Sequence, residues 1–431
     1  MKVLLSTVGG SDRPIVTSIK KNEPDYVIFF CSAPTINRPG SCTMIDGEGK
    51  VCKDTETGKH RESIVKQTNL TKNEYSIVPV DTDDPYDTYE KALQFIEKFV
   101  EEGYEVIVDY TGGTVSMVAG LGAAGIEHPE CKLNVVTGMR QDLMRVKDGM
   151  ERIKRIPVNK AFIRRGLNVW KENFSKSNYT AALQTLDQLQ QYGFVDEHED
   201  ELNKYYYLTK GFQAWDRFDY RGAAQYFDPY KHDPHISVYN EMVKKLANYE
   251  EFIKKWSPDN KKNPPGPGFL LVYDVIYNAM RKGRRGLYDD ATARFYRAIE
   301  MYAQFSLMTS KERMLSSDIK LDKIPENYHD DYSKFKDNKG RIKLGLVDTY
   351  ELLDILGHPI SATWKEWKNR ILNIIEIRNK SFLAHGFDPV DEHSYKLVED
   401  TALQFIRECD ESLGFSQGID TYKDFPSAID L

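Results

Sequence analysis

The sequence predicts an α/β domain at the N-terminus and all-α structure through the rest of the chain. Three observations support this prediction. Over the first ~150 residues short apolar runs alternate with helical patterns, after Arg155 the strand patterns largely stop, and a run rich in proline and glycine, Asn263–Gly268, divides the helical remainder. A chain of 431 residues is too long for one ordinary hydrophobic core, so two or three domains are expected.

The first domain, residues 1–155, is predicted to be Rossmann-like with a parallel sheet. Its strands are near-continuous apolar runs, which are typical of strands buried on both faces, and helical stretches separate the later ones. The polar segment from Thr35 to Asn73 is interpreted as a long excursion with one helix. The predicted strands are Val3–Val8, Tyr26–Phe30, Tyr75–Val80, Glu105–Tyr110 and Lys132–Val136, and the predicted helices are Tyr86–Glu102 and Thr114–Gly125.

Two helical domains are predicted after it. Residues 156–262 form a helical linker domain whose helix-hairpin patterns weakly resemble tetratricopeptide units, although they follow no fixed period. Residues 263–431 form a second helical domain, and its charged stretch Thr309–Arg341 is interpreted as a loop or mobile insertion. The helices predicted in this last domain span residues ~269–283, ~289–309, ~344–356, ~363–385 and ~394–413.

The composition is that of a soluble globular protein, with 40% hydrophobic and 29% charged residues. No apolar run is long enough to cross a membrane. The five cysteines are odd in number and form no CxxC pair, so neither a disulfide framework nor a zinc site is expected. This cysteine usage favours a reducing cytoplasm. The net charge of −7 argues against a sequence-independent duplex binder and limits any nucleic-acid contact to a local pocket.

Two glycine-rich loops, one after the first strand and one between a later strand and its helix, are the candidate ligand site of the first domain. In a doubly wound sheet the loops at the carboxyl ends of the strands form the ligand crevice, and a following helix presents free N–H groups to a phosphate. Neither loop matches the dinucleotide-binding or Walker pattern, so NAD and ATP are not expected. The second loop is also compatible with a plain tight turn in which Thr114 caps the helix. The candidate residues are Thr7, Gly9, Gly10, Ser11, Thr111, Gly112, Gly113, Thr114 and Met117.

Arg378 and His385 are the candidate catalytic pair of the last domain, with Asn379 directly after the arginine. Their spacing of seven residues is close to two helical turns, so we predict that both side chains lie on one apolar helix face, about 10 Å apart along the axis. Arginine binds a phosphate with fixed planar donors, and histidine can transfer a proton near neutral pH. The bare spacing also arises by chance in a chain of this composition, so a structural pair is the alternative interpretation.

Several motifs in the two end domains resemble those of one known family. The run Asp109–Thr114 with Met117 is similar to the signature of CARF domains, and Thr7–Ser11 lies where that family has its second ligand loop. Arg378-Asn379 with His385 resembles the Arg…His motif of HEPN ribonucleases, and Gly286–Glu300 resembles an earlier helix of HEPN domains. In their order and spacing these motifs resemble the CARF–HEPN ribonucleases that accompany type III CRISPR systems, across nearly the whole chain.

The resemblance implies an antiviral RNA endonuclease that is activated by a small cyclic nucleotide. Cyclic tetra- or hexa-adenylate would bind the two glycine-rich loops across a homodimer. The HEPN dimer would then cut single-stranded RNA without a metal or another cofactor and leave 2′,3′-cyclic phosphate ends. His385 would assist proton transfer, Arg378 would stabilise charge on the phosphate, and Asn379 would position its neighbours. Ile375 and Phe382 would pack against the facing subunit.

Two further possibilities remain at this point. The CARF pocket could also cleave its own activator, with Thr7, Ser11 and Thr111 as candidates for positioning the 2′-OH of the activator. Alternatively, the protein could be a nucleotide-sensing signalling protein whose helical domain contacts a partner and is not a nuclease. Ligand binding without RNA cleavage under any condition would distinguish that alternative from the ribonuclease.

Overall fold

The structure is a computed structural model and describes residues 1–33, 40–53, 58–137, 152–156, 158–191, 195–258, 269–415 and 418–428. The side chains of residues 158–160 and 195–198 are outside this description. The chain forms two compact units, Met1–Asn168 with Asp187–His198, and Val169–Leu186 with Glu199–Leu431. The predicted boundary run Asn263–Gly268 lies outside the described residues.

The described part of the first unit contains eight strands: β1 (Lys2–Val8), β2 (Tyr26–Ser32), β3 (Cys52–Lys53), β4 (His60–Arg61), β5 (Tyr75–Val80), β6 (Glu105–Asp109), β7 (Lys132–Thr137) and β8 (Arg152–Ile156). Six of them form one sheet in the order β5-β2-β1-β6-β7-β8, and β3 pairs with β4 in a separate hairpin. Neighbours from β5 to β7 are parallel, whereas β8 is antiparallel to β7. The α/β fold and the five strands predicted from the sequence are confirmed.

Helices cover both faces of this sheet. They are α1 (Arg13–Asn22), α2 (Thr43–Asp46), α3 (Ile64–Thr68), α4 (Pro85–Glu101) and α5 (Val115–Glu127). Successive residues of a strand point to opposite faces, so Leu5 packs into one core with α4 and α5, and Leu4 into the other with α1, α2 and α3. Because helices cover both faces of the sheet, nearly every residue of a central strand is apolar. This is why the apolar runs in the sequence identified the strands.

Three features of the first unit differ from the sequence-based expectation. Strand β8 was not predicted because its residues, Arg-Ile-Lys-Arg-Ile, are largely charged, as suits an edge strand. The excursion after β2 contains two short helices and a hairpin instead of one helix. Cys31 and Cys42 form a disulfide with their Cα atoms 5.3 Å apart. The cysteine count did not predict this bridge, because disulfide formation depends on which cysteines the fold brings together. Here the fold places the end of β2 next to the residues before α2.

Helices continue through the second half of the chain. They are α6 (Val158–Ser175), α7 (Tyr179–Gln191), α8 (Val195–Asp216), α9 (Tyr220–Phe227), α10 (Pro234–Lys254), α11 (Leu270–Arg284), α12 (Tyr288–Thr309), α13 (His329–Ser333), α14 (Leu346–Ile355), α15 (Ser361–Lys380) and α16 (Glu392–Ser412). In the second unit, Trp170, Phe212, Trp215 and Phe227 have no exposed surface and form an aromatic core. None of the described helices has the length and apolar character needed to span a membrane.

The last five long helices begin and end close to the predicted positions, with one exception. Helix α15 ends at Lys380, whereas the sequence pattern predicted helix through residue 385. The stretch Thr309–Arg341 consists mainly of turns, as predicted for a loop, together with the short helix α13. It is packed against the unit, since Met314, Ile319 and Ile324 are at most 4% exposed.

Candidate functional site

The two glycine-rich loops of the first unit meet at one edge of the sheet. Strands β1 and β6 are parallel neighbours, with Ser6 opposite Asp109, so both strands end at the same edge. The chain leaves β1 towards β2 on one side and leaves β6 towards β7 on the other. Such a reversal of strand order opens a crevice between the two loops, which is the usual ligand position in open α/β sheets.

The loops touch each other through their backbones. A Cβ atom added at Gly9 would lie 2.5 Å from the amide nitrogen of Gly113, and one added at Gly112 would lie 2.8 Å from the carbonyl oxygen of Thr7. Gly113 has a φ of +115°, which L side chains rarely adopt. The Thr7 hydroxyl donates a hydrogen bond to the carbonyl of Gly112. These glycines are therefore required for the close approach of the two loops, beyond any role in ligand binding.

The loop after β6 is fixed to the sheet by Asp109 and Thr111. The buried Asp109 carboxylate accepts hydrogen bonds from the Ser18 hydroxyl and from the amide and hydroxyl of Thr111. The amide of Val136 in β7 donates to the Thr111 hydroxyl oxygen over 2.7 Å. Burial raises the pKa of the Asp109 carboxyl, although the hydrogen bonds from Ser18 and Thr111 act in the opposite direction. The side-chain oxygen of Thr111 thus belongs to the framework of the crevice.

The candidate ligand residues differ in their access to solvent. Thr7 and Met117 are at most 1% exposed, so their side chains lie in the protein interior next to the crevice. Thr114 is exposed and caps α5, where its hydroxyl accepts from the Met117 amide and donates to the Thr82 carbonyl. Both the turn-and-cap interpretation and the ligand interpretation of this loop are therefore compatible with the geometry. The remaining candidates have accessible surface: Gly9, Gly10, Ser11, Thr111, Gly112 and Gly113.

Asp12 is a residue of this edge that the sequence analysis did not single out. It precedes α1, and its buried carboxylate accepts two hydrogen bonds from Arg61 of β4, at 3.0 and 2.8 Å, and one from Gln67 of α3. Burial alone would raise the pKa of Asp12, but the hydrogen bonds and charge of Arg61 hold that pKa below its usual value. The signal in the sequence was an acidic residue directly before a helix, which by itself indicates only a cap.

The candidate catalytic pair of the second unit does not lie on one helix face, so that prediction was wrong. Arg378 is in the last turn of α15, but the helix ends at Lys380, and His385 belongs to the turn that follows. Ser381 ends the helix with extended backbone angles, and both its amide and its hydroxyl donate to the carbonyl of Arg378. The apolar spacing that suggested a longer helix therefore continues into a turn.

This turn folds back on the end of α15. The amide of His385 donates to the carbonyl of Asn379 over 3.3 Å, and the amide of Asp388 donates to the carbonyl of Lys380 over 3.0 Å. A Cβ atom at Gly386 would lie 1.9 Å from the Lys380 carbonyl oxygen, so only glycine fits there without a shift. The turn thus holds His385 close to the backbone of Asn379, with its side chain exposed.

The guanidinium of Arg378 is held by two neighbours. Its Nη1 donates to the Asn379 side-chain oxygen over 2.9 Å, and its central carbon lies 4.7 Å from the centre of the Tyr296 ring. Its Nε is buried and has no hydrogen-bond partner among the described residues. Tyr296 lies on α12 and was not singled out from the sequence, because nothing in a linear pattern shows that α12 packs against the end of α15.

Large apolar side chains are exposed around this pair. Phe382 is 59% exposed, Leu383 55% and Phe387 81%, and the rings of Phe382 and Phe387 contact each other edge to face. Ile375, which the sequence analysis assigned to the same apolar stripe, is half-buried. Exposed aromatic residues in a cluster of this kind are typical of interaction surfaces.

Comparison with known proteins gives matches to both helical parts of the chain. Residues 260–408 match a family model described as the Csm6 HEPN domain, and residues 164–256 match one described as the Csm6 6H domain. Together the two models cover more than half of the chain. The HEPN match includes Arg378, Asn379 and His385, and the 6H match lies where the sequence suggested tetratricopeptide-like hairpins. Curated protein sequences gave no match.

A solved structure is similar over the full length. It is Enterococcus italicus Csm6 bound to cyclic hexa-2′-fluoro-hexa-dAMP, with a TM-score of 0.56 and 14% sequence identity. The alignment covers 97% of this chain and 96% of that one. At this level of identity the similarity establishes the fold.

Proposed function

The chain belongs to the Csm6 family of CRISPR-associated CARF–HEPN proteins, and we propose that it is an RNA endonuclease activated by a cyclic oligoadenylate. The observation that carries this proposal is the combination of a phosphate-compatible crevice at the sheet edge with an exposed histidine in the turn that folds back on the helix end carrying a positioned arginine. The activator is a cyclic tetra- or hexa-adenylate, and the substrate is single-stranded RNA. The protein acts in type III CRISPR antiviral defence.

The crevice between β1 and β6 is the proposed activator site. Its floor is formed by the close approach of Gly9 and Gly113, which brings backbone groups rather than side chains to the ligand. The N-terminus of α5 follows directly, and its amides favour an anion. Support also comes from the Enterococcus italicus structure, which has the same overall fold and contains a cyclic hexanucleotide.

Binding, and not cleavage, of the activator is what this crevice supports best. The hydroxyl of Thr7 is buried and donates to Gly112, and the hydroxyl of Thr111 already has Asp109 and Val136 as partners. Ser11 is the third residue considered for positioning the 2′-OH of the activator. It has accessible surface, and none of the described hydrogen bonds ties its side chain to the framework of the crevice. We therefore limit the proposal at this site to binding.

Arg378, Asn379 and His385 are the proposed catalytic residues. The 2′-oxygen of the RNA attacks the adjacent phosphorus as the bond to the 5′-oxygen breaks, which leaves a 2′,3′-cyclic phosphate. His385 moves a proton to or from the reacting oxygens, since imidazole titrates near neutral pH. Arg378 binds the phosphate oxygens that gain charge, and Asn379 holds the guanidinium. Guanidinium and imidazole together provide charge stabilisation and proton transfer, so the proposed reaction requires no metal.

A homodimer completes the proposed cleft. Phe382, Leu383 and Phe387 expose apolar surface next to His385, and such surface is stabilised when a second copy covers it. In a two-fold arrangement the same patch lies on both subunits, which would bring two copies of His385 to one site.

Replacing His385 by Ala tests this function. We expect full-length protein with cyclic tetra- or hexa-adenylate to cleave a fluorescent single-stranded RNA in the presence of EDTA. The His385→Ala variant should cleave about 10²–10⁴-fold more slowly, the range usual for loss of a general acid or base. Mass spectrometry of the products should find 2′,3′-cyclic phosphate ends, and light scattering should find the same oligomeric state for both proteins.

His393→Ala is the matched control, because His393 is also exposed in the same unit but lies at the start of α16. It should cleave as the parent does. Equal cleavage by His385→Ala and the parent would reject the assignment of His385. Ligand binding without any RNA cleavage by the parent would instead favour the alternative, a sensor that signals through a partner.

A further inference from the structure

We propose that Tyr296 is a positioning residue that holds the Arg378 guanidinium in the orientation needed to bind the RNA phosphate. This inference rests on the proposed ribonuclease function and adds a residue outside the Arg…His motif. The observation is the contact of the guanidinium with the Tyr296 ring, with 4.7 Å between the guanidinium carbon and the ring centre. Tyr296 is half-buried on α12, 82 positions before Arg378 in the sequence.

The ring and Asn379 constrain the guanidinium in different directions. The ring limits movement of the guanidinium on the side where it lies, and the 2.9 Å hydrogen bond from Nη1 to the Asn379 oxygen limits its rotation. A guanidinium presents its donors in a rigid planar fork, so restricting the group at two points also restricts where the remaining N–H groups point. Without the ring, the guanidinium would keep its hydrogen bond to Asn379 but lose the aromatic contact that restricts it on the other side.

The charges around Tyr296 leave the positive charge of Arg378 available to a phosphate. The nearest acid on α12, Glu300, is paired with Arg297 through the Nη1 of that arginine. Arg294 is paired in the same way with Asp290 one turn earlier. Burial and then the charge of Glu300 raise the pKa of the Tyr296 hydroxyl, while Arg378 and Arg297 oppose the rise. Tyr296 therefore stays neutral at neutral pH and offers Arg378 an aromatic face, not a counter-charge.

The ring, and not the hydroxyl, is the part that acts, so two substitutions separate the roles. Tyr296→Phe keeps the ring and should retain kcat/KM within about threefold, whereas Tyr296→Leu should lower it about tenfold, a size usual for a partly desolvated cation–π contact. Cleavage is measured with full-length protein, fluorescent single-stranded RNA and both cyclic tetra- and hexa-adenylate. Tyr277→Leu is the matched control, because Tyr277 is a half-buried tyrosine of the same unit that stacks on Tyr422. It should cleave as the parent does.

A double-mutant cycle tests whether Tyr296 acts through Arg378. The measured quantity is the Kd for a 2′-fluoro-substituted RNA, which lacks the attacking hydroxyl and so can be bound by inactive variants. Tyr296→Leu and Arg378→Ala should each weaken binding, but Tyr296→Leu should have no further effect in the Arg378→Ala background. A residue with a merely structural role would weaken binding equally in both backgrounds.

The outcomes separate this inference from the function on which it rests. Equal kcat/KM for Tyr296→Leu and Tyr296→Phe, or an equal loss of affinity in both backgrounds, would overturn the role of Tyr296 while leaving the ribonuclease intact. A parent protein that neither cleaves nor binds RNA with either ring would overturn the proposed function, and the role of Tyr296 with it. Rescue by the ring-bearing Phe variant together with a non-additive cycle supports the assignment.

Discussion

Single residues determine how closely the two glycine-rich loops of the first unit approach each other. Gly9 and Gly10 are adjacent and look equivalent in the sequence, yet they differ in their surroundings. A Cβ atom at Gly9 would lie 2.5 and 2.9 Å from backbone atoms of Gly113, whereas a Cβ atom at Gly10 would meet no atom within 4 Å. Backbone cannot move aside as the end of a flexible side chain can, so only Gly9 is structurally required.

Gly9→Ala should separate the loops and destabilise the first unit by about 1–3 kcal/mol, the usual cost of overpacking. Hydrogen exchange of peptides from β1 and β6 should become faster, and binding of cyclic hexa- or tetra-adenylate should weaken. Gly10→Ala is the control for stability, since the added methyl group has open space. If Gly9→Ala exchanged as slowly as the parent, the close approach of the loops would not be rigid in solution.

At the scale of elements, one buried ion pair connects α1 to the β3–β4 hairpin. Asp12 lies directly before α1, and its carboxylate is bound in a bidentate manner by Arg61 of β4. The side chain of Asp12 is 1% exposed and that of Arg61 20% exposed. A carboxylate buried to this degree depends on its partner, because an unpaired charge in the interior is costly.

Arg61→Met should therefore destabilise the first unit by about 2–3 kcal/mol near pH 7, because Asp12 is left charged with Gln67 as a neutral partner. The pKa of Asp12 is lowered in the folded protein. The ion pair thus stabilises the fold above the unfolded pKa of about 4, and this contribution is lost as the pH falls through the lower folded value. In calorimetry the difference between parent and variant should be large at neutral pH and shrink below about pH 4.

Lys66→Met removes an exposed partner of Glu62 on the neighbouring helix α3 and serves as the control. It should change stability by less than about 1 kcal/mol at any pH, as is usual for surface ion pairs. A difference between Arg61→Met and the parent that stayed constant down to pH 2 would argue against titration of Asp12 as its origin.

At the scale of the whole molecule, a buried polar network unites the helices of the second unit. Asp274 of α11 accepts hydrogen bonds from Trp215 of α8, Tyr220 of α9 and Tyr422 near the C-terminus. Arg281 of α11 is 1% exposed and binds Asp216 and Asp424. Helices α8, α9 and α11 are therefore joined within the second unit, and movement of one requires the others to follow or this network to open.

Asp216→Ala should destabilise the second unit by about 3–5 kcal/mol, because Arg281 and Lys282 both lose a buried partner. Asp228→Ala, which removes an exposed partner of Lys244, should cost less than about 1 kcal/mol. Tryptophan fluorescence during denaturation measures this unit alone, since all five tryptophans belong to it. Similar losses for the two variants would mean that the network contributes no more than a surface pair.

The largest difference between the sequence pattern and the structure is in the turn that carries His385, the proposed catalytic histidine. The 4-3-4-3 apolar spacing up to His385 fits a helix, but Ser381 offers its amide and hydroxyl to the Arg378 carbonyl, and the chain turns there. Periodicity records which residues are apolar and does not record where a local hydrogen bond competes with the helix. The five strands and most helix bounds were predictable because burial on two faces, or on one helical stripe, imposes a pattern along the chain.

The sequence by itself determined the fold class, the order of the α/β and helical parts and the identity of the two candidate sites, because apolar periodicity and short glycine or Arg…His motifs are local properties. Only the tertiary structure decided which residues surround those motifs. It brought Gly9 against Gly113, Arg61 against Asp12 and Tyr296 against Arg378, pairs far apart in sequence. Such contacts depend on how strands and helices pack, and packing depends on the shape of the whole unit rather than on any run of neighbouring residues.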